Sequence, residues 1–194
     1  ASATAVAAAA GTPAPRVLIV GDSMSAEYGL ARGQGWVALL QERVAAQKLP
    51  VQVHNASLSG DTTAGGRARL PALLAQQPPA VVVIELGGND GLRGQPPQMI
   101  QKNLAPLIEK SQQAKAKVVV FGMKIPPNYG TAYSKAFEGS YQTVSRQYRV
   151  KLLPFFMEGI AGNKQLMQKD LIHPNAKAQP ILLNNAYPYI KGAL

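Results

Sequence analysis

The chain contains no cysteine, which excludes a disulfide framework and any thiolate chemistry but leaves the cellular compartment open. Its two histidines, His54 and His173, lie far apart, and no H-E-x-x-H pattern occurs, so nothing supports metal catalysis and no metal site is expected. Acidic residues are scarce, 10 against 20 Lys and Arg, for a formal charge of +10. The basic residues are nonetheless scattered singly from Arg16 to Lys191, without a charge run or an aromatic ladder, which argues against nucleic-acid binding. A diffuse positive field favours anionic substrates or peripheral contact with anionic lipid; the alternative is a basic surface with no dedicated partner. No apolar run approaches the roughly 20 residues of a membrane span. No serine carries the G-x-S-x-G elbow of α/β-hydrolases, and Gly87 to Gly94 lacks the G-K-[ST] ending of a P-loop and does not open a helix as G-x-G-x-x-G. No cofactor is expected, and no internal repeat is present.

What the chain does have is a set of apolar strands that end in polar turns. Four aliphatics, Val17-Leu18-Ile19-Val20, stop abruptly at Gly21-Asp22-Ser23. A continuous apolar run suits a parallel strand covered on both faces, and ligands bind beyond the carboxyl ends of such strands. Asp22-Ser23 could instead simply cap a helix. Val81 to Ile84 likewise runs into Leu86-Gly87-Gly88-Asn89-Asp90-Gly91, and the strand from Val51 to His54 into Asn55-Ala56-Ser57-Leu58-Ser59-Gly60-Asp61-Thr62. Near the C-terminus stands Asp170-Leu171-Ile172-His173-Pro174. A serine hydroxyl needs an adjacent base, itself oriented by a third group. The three-residue spacing puts Asp170 and His173 on one side of a turn, so the carboxylate meets one imidazole nitrogen while the other faces Ser23. Pro174 bars a helix through His173, which places the pair in a loop. Ser23, Gly60 and Asn89 supply candidate donors for an oxyanion.

These blocks resemble those of the SGNH (GDSL-type) serine hydrolases: Gly21-Asp22-Ser23, Gly60, Gly88-Asn89-Asp90 and Asp170-x-x-His173, in the family's order. The likeness to the bacterial thioesterase I/lysophospholipase/arylesterase branch extends from about Arg16 over nearly the whole chain. It includes Asn55-Ala56-Ser57, Leu86 to Gly94, Pro126 to Gly130 and Leu152 to Met157. The resemblance implies Ser23 as nucleophile and first oxyanion donor, Gly60 and Asn89 as the other donors, and Asp170 and His173 completing the triad. It also implies turnover of arylesters, lysophospholipids and acyl-thioesters. Met24 stands where the family motif has leucine, an apolar swap of similar volume, and Leu171 stands where close relatives often carry glycine.

Alternating strands and helices imply an α/β fold, a three-layer α/β/α sandwich with a five-stranded parallel sheet; the flavodoxin-like order 2-1-3-4-5 is expected, and the family resemblance implies the same. Strands are expected at Arg16–Gly21, Val51–His54, Ala80–Leu86, Lys117–Gly122 and Lys151–Pro154. Helices are expected at Trp36–Lys48, Thr62–Gln76, Pro97–Ala114, Tyr133–Tyr148 and Asn175–Ile190. The loop from Gly122 to Gly130 is the candidate acyl-binding wall, with Met123, Ile125 and Pro126 lining a groove, and the resemblance implies that Leu92 and Arg93 lie opposite it; the alternative is an ordinary connection with buried anchors. Phe155, Phe156 and Met157 are read as core. His54 is read as structural, and Asp22, Asp61 and Asp90 as acceptors of backbone N–H bonds that hold the loops. Residues 1–15, rich in alanine and free of charge, are read as an extension near a signal-peptide cleavage site, with 16–194 as the hydrolase domain. A periplasmic or secreted monomer of a Gram-negative bacterium is expected. Within enzymes the alternative is a carbohydrate O-deacetylase; outside them, a non-catalytic lipid or cell-wall binding module.

Overall fold

A computed structural model describes residues 14–194, so most of the expected Ala-rich extension, residues 1–13, lies outside the described residues. Strands β1 (Arg16–Gly21), β2 (Gln52–Asn55), β3 (Val81–Glu85), β4 (Lys117–Phe121) and β5 (Lys151–Leu153) form one parallel sheet in the order β2-β1-β3-β4-β5. The order matches the sequence expectation, and every neighbouring pair is parallel. The apolar runs become the central strands because only there are both faces covered: every residue of β1 and β3 is buried. The edges are short strands with exposed or half-buried residues, which limits open strand edge.

The helices are α1 (Trp36–Ala46), α2 (Thr63–Gln76), α3 (Gly88–Leu92), α4 (Pro97–Gln113), α5 (Thr131–Tyr148) and α6 (Gln179–Ala193). α1 packs with α6 on one face, while α2, α4 and α5 pack in series on the other. Trp36, Phe121 and Phe156 form an aromatic cluster between α1, the end of β4 and the loop after β5, with ring centroids 4.7 to 5.7 Å apart. Thr62 is the N-cap of α2, its hydroxyl accepting from Gly65 N at 3.1 Å.

Three details correct the sequence reading. The glycine-rich turn after β3 contains a single turn of helix, α3, entered through Gly87 at φ 111°. That left-handed backbone, which glycine adopts without strain, conceals the helix from a propensity reading. α5 begins at Thr131 rather than Tyr133. The last helix opens as a 3₁₀ turn, Ala176–Ala178, capped by Asn175, before α6 proper.

Candidate active site

The chain leaves the carboxyl ends of β1, β2 and β3 side by side, and the three polar turns meet there. Asp22 and Ser23 follow β1; Ser25 N and Ala26 N fold back onto Asp22 O at 3.1 and 3.0 Å, closing a tight turn around Ser23. Asp22 Oδ1 accepts from Met24 N at 3.0 Å. Ser23 Oγ stands 2.8 Å from His173 Nε2, and His173 Nδ1 stands 2.5 Å from Asp170 Oδ2. The other carboxylate oxygen of Asp170 accepts from the backbone N–H groups of Ile172 and His173, both at 3.0 Å. Burial works against the Asp170 charge, but the His173 N–H, the His173 ring and the Ile172 N–H outweigh it and hold the carboxyl at about 2. Asp170 is therefore an ionised acceptor, which fixes the proton of a neutral His173 on Nδ1 and leaves Nε2 to accept from the Ser23 hydroxyl.

The base-bearing loop is tied down by its own surroundings. Gln168 N donates to His173 O at 2.7 Å, and the Gln168 amide donates to Tyr28 O and Pro174 O. The Tyr28 ring lies 4.4 Å from the imidazole, centroid to centroid. Leu171 takes φ 58°, a left-handed conformation unfavourable for leucine, at the position where the family resemblance pointed to glycine.

In the turns after β1, β2 and β3, two backbone donors and one amide have hydrogens to spare. Among the described residues neither Ser23 N nor Gly60 N donates to a protein acceptor. Asn89, on α3, donates one Nδ2 hydrogen to Asp61 O at 2.8 Å and keeps the second. That bond joins the turn carrying Gly60 to the turn carrying Asn89. Gly60 itself sits on an exposed turn outside the cleft lining. Arg69 braces the same turn: its Nε donates to Asp61 Oδ2 at 2.7 Å, and its guanidinium also reaches Ala56 O and Gly21 O. Asp90 is buried and accepts from Thr63 N and Thr63 Oγ1 at 2.9 and 2.7 Å, locking α3 to the start of α2. Asp61 Oδ1 accepts from Thr62 N at 2.9 Å, so all three loop acids accept backbone N–H groups, as the sequence suggests, whereas nothing in the sequence singles out Arg69 or Thr63. A helical arginine and a first-turn threonine gain these roles only through tertiary contact.

A cleft of about 480 Å³ opens from Ser23, Asn89 and His173. All four expected wall residues, Leu92, Met123, Ile125 and Pro126, line it, and Tyr129 ties the loop across to Leu92 O at 2.7 Å. Phe155 and Met157, read as core from sequence, do pack with the core but also border the cleft, whereas Phe156 is core alone. Leu171 and Ile172 stand exposed at its mouth. A second cavity of similar volume beside β5 meets the cleft at Lys124 and Phe155 but holds no serine–histidine pair. His54 is remote from the cleft: its Nδ1 pairs with Arg16 at 2.8 Å, and burial followed by the arginine charge lowers its pKa, so it is a neutral structural acceptor. Among the described residues no cluster of potential ligands could hold a metal ion, and no helix is long and apolar enough to cross a membrane.

A hydroxyl, an imidazole and a carboxylate bonded in series at the carboxyl ends of a parallel sheet is the arrangement of a serine hydrolase. Residues 19–180 match the GDSL-like Lipase/Acylhydrolase family, and the chain belongs to that family. It is 54% identical over 181 residues to Esterase TesA of Pseudomonas aeruginosa, covering 93% of this chain and 90% of that protein. It is 44% identical over 169 residues to Thioesterase 1/protease 1/lysophospholipase L1 of Escherichia coli, covering 87% and 80%. Among solved structures, the crystal structure of TesA superposes with a TM-score of 0.90, covering 92% of this chain and 99% of that one at 54% identity. The esterase EstA from Pseudoalteromonas sp., inhibited by monoethylphosphonate, superposes at 0.88 with 47% identity over 91% and 97%. The chain is accordingly a carboxylic ester hydrolase.

Proposed function

We propose that Ser23 is the nucleophile, His173 its general base, and Asp170 the carboxylate that orients and stabilises the imidazolium. Ser23 N, Gly60 N and the spare Asn89 Nδ2 hydrogen then receive the oxygen of the tetrahedral intermediate. Ser23 Oγ attacks the ester or thioester carbonyl as Nε2 takes its proton. Collapse of the intermediate expels an alcohol or thiol, protonated by His173, and leaves an acyl-enzyme. His173 then activates water, which releases the acid and restores Ser23. The observation that carries this reading is the unbroken series Ser23–His173–Asp170, at 2.8 and 2.5 Å, at the mouth of an apolar cleft.

Leu92, Met123, Ile125, Pro126 and Met157 give the cleft an apolar wall suited to a medium or long acyl chain, each buried methylene being worth about 0.8 kcal/mol. This favours arylesters, lysophospholipids and acyl-thioesters over an acetylated carbohydrate. The reading includes a monomer working outside the cytoplasm, where lysophospholipids and exported esters are met more readily than acyl-CoA. Its net charge of +10 would favour anionic lipid surfaces. Kinetics on p-nitrophenyl esters from acetate to palmitate test it. Rising kcat/KM toward medium chains is expected, whereas a sharp acetate preference would transfer the assignment to a deacetylase.

A further inference from the structure

Beneath the Ser23 turn lies a carboxyl group that the reaction just described does not use. Glu85, the last residue of β3, is 0% exposed. Its Oε1 accepts from Ser25 Oγ at 2.6 Å and lies 3.4 Å from Asp22 N, and Ser25 Oγ in turn accepts from Trp36 Nε1 at 3.0 Å. A side chain on Gly21 would put its Cβ 2.8 Å from the same oxygen, so the glycine of Gly21-Asp22-Ser23 is what lets the carboxyl approach. Glu85 Oε2 finds no protein partner among the described residues, and the acid whose backbone N–H lies 3.4 Å from Oε1, Asp22, is itself only 2% exposed. No Lys or Arg among the described residues bonds to either acid. Two carboxyls buried against one turn with no cation beside them do not both ionise, so one of them keeps a proton.

We propose that Glu85 is a positioning residue for Ser23: a neutral carboxylic acid whose Oε2–H donates to Asp22 while Oε1 accepts from Ser25. It clamps the Asp22–Ser25 turn to the end of β3 and leaves one negative charge, on Asp22, facing His173. The inference rests on the nucleophile role of Ser23. Burial first, then the Asp22 charge, push the Glu85 carboxyl well above the usual range. Burial also raises Asp22, which the Glu85 hydrogen bond, the Met24 N–H and His173 pull back toward ionisation. The other titratable groups facing the pair are Asp61, which faces Asp22, and Tyr141 on α5, which faces both and Asp90 as well. Tyr141 stays neutral, because burial and then these acids raise its phenol well above its ordinary value, and it donates to Leu86 O at 2.7 Å.

The test compares Glu85→Gln with Glu85→Ala on a short p-nitrophenyl ester. Glutamine reproduces a neutral donor and acceptor, so kcat stays within about three-fold of the parent, with an unchanged pH profile. Alanine releases the turn and lowers kcat by roughly 10²-fold with KM little altered. A Glu85→Gln protein as impaired as Glu85→Ala would mean that a charge, not a proton, is needed there, and would overturn the proposal. So would a Glu85→Ala protein with parental kcat. If Glu85→Ala does not fold, infrared spectra decide: the parent at about pH 8 shows the carbonyl band of a protonated carboxyl that Glu85→Gln lacks, and its absence from the parent overturns the proposal. Fluorophosphonate labelling of Ser23 in the parent separates the two levels. Absence of labelling would remove the nucleophile role of Ser23 itself, whereas labelling with an indifferent Glu85→Ala removes only this inference.

Discussion

Ser23 and His173 meet at 2.8 Å, yet the regions that carry them are built in opposite ways. The Ser23 side is a buried polar scaffold: Asp22, Ser25, Glu85 and Asp90 are all buried, and Trp36, Thr63 and Arg69 bond into the turns around them. The His173 side is a surface loop with Leu171 57% and Ile172 42% exposed, held by Gln168, Asn175 and a single bridge between Met167 and Pro174. The difference teaches where each half gets its precision. The nucleophile inherits the rigidity of the sheet, and the base depends on a few local bonds at the end of the fold.

The largest expected effects lie where the halves join. Ser23→Ala should lower kcat by about 10⁶-fold, and Asp170→Asn by about 10⁴-fold through loss of the correct imidazole tautomer. Steady-state kinetics on a purified, folded variant checks each, and parental turnover in either would break the comparison at its centre. Asn89→Ala, on the scaffold side, should cost roughly 10² to 10³ in kcat with KM little changed, if its spare hydrogen meets the oxyanion. A change confined to KM would instead make Asn89 a substrate-binding group.

Two smaller effects belong to the surface loop. The Asp170 carboxyl is depressed to about 2 in the folded chain, so its bonds add stability that is fully present above its unfolded pKa and lost as pH falls toward 2. Asp170→Asn should flatten that part of the stability curve in denaturant titrations across acid pH; an unchanged slope would show that the loop bonds are not maintained in solution. Leu171→Gly should relieve the left-handed strain, partly offset by greater freedom of the unfolded chain, and raise Tm by about 2 °C. A fall in Tm would show that the exposed leucine packs at the mouth of the cleft.

The nucleophile strand was legible to the residue, Arg16–Gly21, because four consecutive aliphatics after Arg16 stop at Gly21, a run too short for a helix and rich in β-branched residues. The helix ends were legible to within a few residues; the alternation of elements gave a parallel sheet, while its order rested on the family resemblance. Ser23, Asp170 and His173 could be paired across 150 residues because the chemistry requires three groups and the chain offers only two histidines, one of them beside an acid. What escaped was whatever acquires meaning only in three dimensions. Glu85 reads as the polar end of a strand and Arg69 as a helix surface charge, yet one lies beneath the Ser23 turn and the other ties β1, Ala56 and Asp61 together. Hydrophobicity reads Phe155 and Met157 as core, and both do pack with it, but it cannot tell a buried wall from one bordering a cleft.

Fluorophosphonate labelling followed by peptide mass mapping tests the central claim most directly. The account predicts one adduct per chain, confined to Ser23, absent in Ser23→Ala and formed more slowly by at least about 10²-fold in His173→Ala. An adduct on another residue, or equally rapid labelling of His173→Ala, would contradict it.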